Sequence, residues 1–370
     1  MSAAGSALAP DPYTFSLWRF VGGLGVGVSS IAVPAYISEI APAARRGRLV
    51  ALYQFQIVFG ILVAFASNFV LDRYLHLDWR WMLGIETVPA LIYLALVVKV
   101  PESPRWLLLR RNDEAASRRI LDLVDRSATN RTIQEIRHAQ GEFTQDRLFD
   151  RAYLKPVLLA FLVAAFNQLS GINFIIYFAP RIFGLAGLDG SSALLSTAGI
   201  GLVNLAFTML GMALIDRAGR RTLLLLGSIG YIASLAAVTW AFHTQAGGTV
   251  VVLFVFLYIA AHAVGQDAVI WVFIAEIFPN NVRTRGQSLG SGTHWVFAAL
   301  ITLLMPFLLG RFSADVIFGF FTVMMVLQLG FVLWVMPETK GRSLEYLAEH
   351  LSRHAHANFR TDGPDWRDRH

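Results

Sequence analysis

The stretch Glu39-Ile-Ala-Pro-Ala-Ala-Arg-Arg-Gly47 returns later in the chain, lightly altered, as Glu276-Ile-Phe-Pro-Asn-Asn-Val-Arg-Thr-Arg-Gly286. Pro42 and Arg46 keep the spacing of Pro279 and Arg283. Each copy ends one long apolar run and precedes another, so both read as polar turns between membrane spans. A second pair follows: Pro101-Glu-Ser-Pro-Arg105 and Pro337-Glu-Thr-Lys-Gly341 each close an apolar run. Glu39 and Glu276 lie 237 residues apart, Pro101 and Pro337 lie 236 apart. Short motifs recur by chance, but two pairs at one offset indicate duplication of a whole helical bundle, as in many secondary transporters.

Composition fixes the solvent. Hydrophobic residues make up 55% of the chain and charged residues 15%, against about 25% charged in soluble domains. Such a chain belongs in a lipid bilayer. The net charge of +6 comes from Arg residues in short connections, a topology signal rather than a binding stripe, so no nucleic-acid partner is expected. Cys is absent, which removes disulfides, thiolate metal sites and Cys nucleophiles. The nine His residues never adopt a metal-ligand spacing on one helix. No metal, cofactor or enzymatic activity is expected. Met1 to Pro12 lacks the basic flank of a signal peptide.

Nine runs approach the roughly 20 apolar residues that a span needs: 17–38, 49–71, 81–100, 156–183, 192–215, 222–242, 249–277, 287–310 and 314–336. Arg45, Arg46, Arg48, Arg217, Arg220, Arg221, Arg283 and Arg285 all fall in connections on one side, against chiefly Arg73, Arg80 and Arg311 on the other. The positive-inside rule makes the first side cytoplasmic and places the carboxy terminus there. Four regions are therefore expected: an incomplete bundle of three spans over 1–100, a cytoplasmic linker over 101–155, a six-helix bundle over 156–336 and a cytoplasmic tail over 337–370. In the linker, Asn112-Asp113-Glu114 is set to cap a helix carrying Ile120, Leu121 and Val124, and Thr132 to start another. The alternative of a disordered linker is disfavoured by that apolar spacing. Leu344, Leu347 and Leu351 repeat the idea in the tail. The duplication offset places the counterpart of the segment near Lys155 upstream of Met1, so about three spans of the ancestral arrangement are expected to be missing.

Six strings, taken together, resemble the sugar porter family of the major facilitator superfamily. They are Arg19-Phe-Val-Gly-Gly-Leu-Gly-Val-Gly27, Pro34-Ala-Tyr-Ile-Ser-Glu39, Pro101-Glu-Ser-Pro-Arg105, Gln168-Leu-Ser-Gly-Ile-Asn173, Asp216-Arg-Ala-Gly-Arg-Arg221 and Pro337-Glu-Thr-Lys-Gly341. The likeness covers essentially the whole chain. It implies an all-α membrane protein with a helical bundle of that superfamily, nine spans of an ancestral twelve, equivalent to helices 4–6 and 7–12. It also implies alternating access around a central sugar site.

A sugar presents many hydroxyls, so its site needs amides that donate and accept, and an aromatic face for the ring. Asn167, Gln168, Asn173 and Asn204 lie within the fourth and fifth spans and Gln54 within the second. Asn173 and Tyr177 share a helix face, whereas Gln168 and Asn173 share one only if Ser170-Gly171 breaks the helix. Isolated amides often serve as interhelical glue in membranes; clustering here favours a substrate site. By the resemblance, Gln54, Gln168, Asn173 and Asn204 match the family's sugar-binding amides, and Tyr177, Trp271 and Trp295 match its aromatic positions. The family's paired Gln-Gln is Asn167-Gln168 here.

In the seventh span the run is Gly265-Gln-Asp-Ala-Val-Ile-Trp271, without the Gly-Pro common in the family, which predicts a stiffer helix. Asp267 is an acid at membrane depth with three open readings: a ligand for sugar hydroxyls, a proton carrier, or the partner of His262 or His294. By the resemblance, Arg19 matches an Arg that works in proton-coupled members with an acid on a helix absent here. Glu86 matches an acid of the coupling path or cytoplasmic network; a simple buried hydrogen-bond role is the other reading. Glu39, Arg46, Glu276, Arg283, Asp216, Arg220 and Arg221 lie at span ends, where ion pairs can form and break as a transporter changes state. Gly23-Leu-Gly-Val-Gly27 reads as close helix packing rather than phosphate binding. The function implied is monosaccharide transport, with proton symport ahead of facilitated diffusion. The partners implied are a small sugar, protons and the lipid bilayer of the cell membrane. The competing reading is a non-transporting membrane protein, an inactive fragment or a sugar sensor. A drug antiporter fits poorly with an amide-rich cavity.

Overall fold

The computed structural model describes residues 1–40, 46–126, 129–141, 147–279 and 281–340, and these are helical apart from short turns. The chain divides into two compact units, Met1–Phe143 and Thr144–His370.

The first unit opens with a helix that the sequence did not announce, α1 (Ser2–Ala7). Ser2 Oγ donates to the Trp18 carbonyl at 2.7 Å, and Arg80 Nη1 donates to the Ala9 carbonyl at 3.1 Å. Two longer helices follow, α2 (Pro12–Ile40) and α3 (Arg46–Arg73). The expected third span is two helices, α4 (Trp79–Gly84), capped by Asp78, and α5 (Thr87–Val97), with Glu86 at the break. Short helices also follow α5. In α6 (Pro104–Leu109), Ser103 Oγ caps the Trp106 N–H at 3.3 Å; in α7 (Glu114–Asp125), Asp113 caps Ala116 N–H at 2.8 Å. The next helix, α8 (Thr129–Gly141), starts three residues before Thr132 because Thr129 Oγ1 bonds Asp122 at 2.6 Å. Leu108, Leu121, Ile133 and Ile136 bury one another, so the described part of this stretch is packed rather than disordered.

The second unit is the better packed. After a 3₁₀ turn at Arg151–Tyr153 come α9 (Leu154–Leu169), α10 (Ile172–Leu185), α11 (Gly190–Ala218), α12 (Arg220–His243) and α13 (Gly248–His262). A π turn at Ala263–Asp267 leads into α14 (Ala268–Ile277), followed by α15 (Arg283–Arg311) and α16 (Ala314–Trp334). On α12, Leu224, Gly227, Tyr231, Leu235 and Val238 form a stripe at three- and four-residue spacing that is buried. Lipid is as apolar as leucine, so this stripe stabilises by van der Waals fit against α13 and α16.

Among the described residues, eight helical stretches are long and apolar enough to cross a membrane, two in the first unit and six in the second. The expected span over 17–38 lies inside α2, which is not among the eight. The seventh expected span is not the stiff helix predicted from its lost proline: the π turn interrupts it. Leu344, Leu347 and Leu351 lie outside the described residues.

Candidate functional site

The helix break anticipated at Ser170-Gly171 is present. Gly171 has φ of +84°, and a Cβ there would come within 2.7 Å of the Phe321 ring, so glycine is required twice over. The break turns Asn173 back toward the end of α9, and its Nδ2 donates to Gln168 Oε1 at 2.9 Å. Gln168 Nε2 donates to Asn167 Oδ1 at 2.8 Å and lies 3.2 Å from His294 Nδ1. His294 in turn packs against Trp271 and Trp295, with ring centroids 5.2 and 5.4 Å away. Asn167 and Gln168 are buried, whereas Trp271 and Trp295 remain 39% and 41% exposed. Four helical elements, α9, α10, α14 and α15, thus bring three amides, an imidazole and two indoles together.

Tyr177 is 56% exposed on α10. Asn204 is buried on α11 and accepts, at a long 3.4 Å, from Thr208 Oγ1 one turn away. Asp267 is taken by His262, whose Nε2 lies 3.1 Å from Asp267 Oδ1.

At the far end of the same unit sits an ionic cluster. Arg220 Nη2 pairs with Glu276 Oε1 at 2.8 Å, and its Nη1 with Asp216 Oδ1 at 3.1 Å. Thr339 Oγ1 donates to Glu276 Oε2 at 2.6 Å. The Glu338 carboxylate accepts the N–H groups of Arg220 and Arg221, both at 3.0 Å, so an anion covers the positive end of α12. Arg221 itself spends its guanidinium on the carbonyls of Val332 and Leu333. Arg283 Nε donates to the Phe278 carbonyl at 3.1 Å.

Comparison with known proteins places this arrangement. A model of the family described as "Sugar (and other) transporter" matches residues 1–351. The D-xylose-proton symporter of Escherichia coli is 35% identical over 347 residues, covering 90% of this chain and 70% of the symporter. The chain belongs to the sugar porter family. The glucose transporter of Staphylococcus epidermidis is 33% identical over 339 residues, covering 90% of this chain and 75% of that one. Among solved structures, the inward-open xylose transporter of E. coli superposes with a TM-score of 0.81 at 31% identity, covering 95% of this chain and 80% of that one. Membership makes the chain a multi-pass membrane transporter rather than an enzyme, and the non-transporting alternative is not favoured.

Within this sugar porter, the first unit pairs Arg19 Nη1 with Glu86 Oε2 at 3.9 Å. Gln54 is half-buried in α3. The side chains of Glu39 and Arg46 lie outside the described residues. Sequence reasoning named His294 only as a possible partner of Asp267 and gave Glu338 and Thr339 no role. The polar run Pro337-Glu-Thr-Lys directly after an apolar span was the available signal for the latter two.

Proposed function

We propose that the chain carries a monosaccharide across the plasma membrane by alternating access, in symport with protons, with its carboxy terminus in the cytoplasm. The observation that carries this reading is the cluster of Asn167, Gln168 and Asn173 at a helix break, beside His294, Trp271 and Trp295. Both ends of the Gln168 carboxamide are already bonded to neighbours, Nε2 to Asn167 and Oε1 to Asn173, so the empty site costs little. A sugar hydroxyl exchanges those bonds one for one, while a half-exposed indole covers the apolar side of the ring. Tyr177 and Asn204 complete the sugar contacts within the second unit as the carrier changes state.

The cluster of Arg220, Glu276, Asp216, Glu338 and Thr339 acts as a cytoplasmic latch, with Arg221 and Arg283 anchoring the adjoining carbonyls. Arg19 and Glu86 belong to the proton path. Proton coupling is supported by the similar D-xylose-proton symporter and the arabinose-proton symporter of Bacillus subtilis.

Asn173→Ala removes the bond to Gln168 and Gln168→Ala removes that bond together with its contacts to Asn167 and His294, each partner left unpaired costing about 1–3 kcal/mol. The expected result is a loss of pentose or hexose binding by roughly tenfold or more, with membrane insertion unchanged. Normal binding in both variants would rule out the site, and uptake without external alkalinisation would rule out symport.

A further inference from the structure

We propose that Tyr231, His262 and Asp267 form a proton-binding site inside the second unit, assembled by the π turn and loaded in step with sugar occupation of the amide cluster. Its coupling to sugar rests on the function proposed above; the site itself rests on separate geometry. Asp267 follows His262 by five residues, a spacing that separates side chains by about 140° on an α-helix. The π turn Ala263–Asp267 changes that register and brings His262 Nε2 to 3.1 Å from Asp267 Oδ1. The other ring nitrogen, Nδ1, is 2.5 Å from Tyr231 Oη on α12. The widened turn is held by close backbone contact: a Cβ on Gly265 would meet Gly227 Cα at 2.9 Å, and one on Gly211 the Ala263 carbonyl at 3.0 Å.

Two protonation states fit the same heavy atoms. With Asp267 ionised, Nε2–H donates to it and Nδ1 accepts from the Tyr231 O–H, for a net charge of −1. With one proton more, the imidazolium donates to both partners, or the carboxylic acid donates to Nε2 and Nδ1–H donates to Tyr231; the net charge is zero. His262 is 2% exposed, while the 24% exposure of Asp267 gives the proton an exit. Nearby titratable groups are Tyr258 on α13 and His294 on α15. Tyr258 stacks on His262 and donates to the Ser170 carbonyl at 3.0 Å; His294 lies within electrostatic range of Asp267 and His262. Gln266 and Gln328, from the π turn and α16, are neutral and bond each other at 2.6 Å. Among the described residues no Lys, Arg or Glu pairs with Asp267.

Two contacts join this relay to the amide cluster. Ser170, held by Tyr258, sits in the break between Gln168 and Asn173, and His294 touches both Gln168 and Trp271. Sugar at Gln168 therefore changes the surroundings of His294 and, through it, the charge tolerated at Asp267.

The test uses the full chain, reconstituted in lipid with ¹³C-labelled histidine and titrated from about pH 5 to 9. One imidazole signal, absent in His262→Gln, is expected to titrate in that range. Its midpoint should move by more than about half a pH unit in Asp267→Asn. If Asn disrupts folding, Tyr231→Phe must move the midpoint instead. A His262 signal that does not titrate, or that neither variant moves, overturns the proton site. Coupling is read from D-xylose and D-glucose binding over the same pH range. The apparent Kd of the unaltered chain should change several-fold, and that change should fall below about twofold in Asp267→Asn. Equal pH dependence in both overturns the coupling. If the unaltered chain binds neither sugar, the transport reading fails, and the histidine titration still decides the proton site.

Discussion

Each unit joins an arginine to a glutamate across two of its helices, with different results. In the second unit Arg220 is 10% exposed, lies 2.8 Å from Glu276, and meets Asp216 with the same guanidinium. In the first, Arg19 and Glu86 stand 3.9 Å apart with side chains 49% and 48% exposed. The contrast follows the packing around them: Trp79–Val97, which holds Glu86, buries none of its apolar window, whereas Arg220–His243 and Gly248–Ile277, which hold Arg220 and Glu276, bury 44% and 39%. Charge pairs of one type thus become structural only where neighbouring helices exclude solvent and supply further acceptors. The sharpest way to break the comparison is to remove both arginines. Arg220→Ala strands Glu276 and is expected to destabilise by about 3 kcal/mol, measured as a fall in unfolding temperature in detergent. Arg19→Ala should cost less than about 1 kcal/mol. Equal losses would show that burial does not set the difference.

Glycines extend the same contrast. Gly23, Gly25 and Gly27 looked like a close-packing stripe, yet among the described residues a Cβ at any of them meets nothing within 4 Å. The close approach occurs instead at Gly211, Gly227 and Gly265 in the second unit. Gly265→Ala pushes against the backbone of α12 and is expected to cost about 1–3 kcal/mol and to weaken sugar binding. Gly25→Ala is expected to be neutral or to stabilise by up to about 1 kcal/mol, since alanine favours helix. Thermal unfolding of the two variants side by side sharpens the comparison, and a reversed order would break it.

Where the sequence was legible, a local rule was enough. The break at Ser170-Gly171 needs only a glycine after a serine in an apolar run, and the cap at Asp113 needs only one side chain and the N–H three residues on. The duplicated motifs likewise fall between helices, after Ile40 and after Ile277. The π turn was not legible, because its cause is the fit of Gly265 against Gly227, 38 residues earlier in the chain. Lost proline suggested stiffness; the tertiary fit prevailed. Likewise the partner of Asp267 depended on that register, and the stripe at Gly23 to Gly27 misled because spacing alone does not say whether a neighbour arrives. The role of Glu338 was hidden by distance, since it caps a helix that starts 118 residues earlier.

The smallest expected effect lies in the helices α6 to α8, which share a buried cluster. Glu114 accepts from Arg118 at 3.2 Å and from Arg137 at 2.6 Å, tying α7 to α8. These contacts, the Arg118 hydrogen bond foremost, hold its carboxyl below the ordinary glutamate value of 4.5. A depressed folded-state value means that the stabilisation is complete above the ordinary value and disappears as pH falls through the lower one. The carboxylate is solvent-exposed, so the consequence is local rather than global. Amide exchange in α7 and α8 should therefore accelerate as pH drops below about 4.5, beyond the intrinsic pH dependence of exchange. Glu114→Gln should remove that extra acceleration while leaving the six spans of the second unit unchanged. Acceleration of equal size in the variant would mean that the linker helices are held by Leu108, Leu121, Ile133 and Ile136 alone.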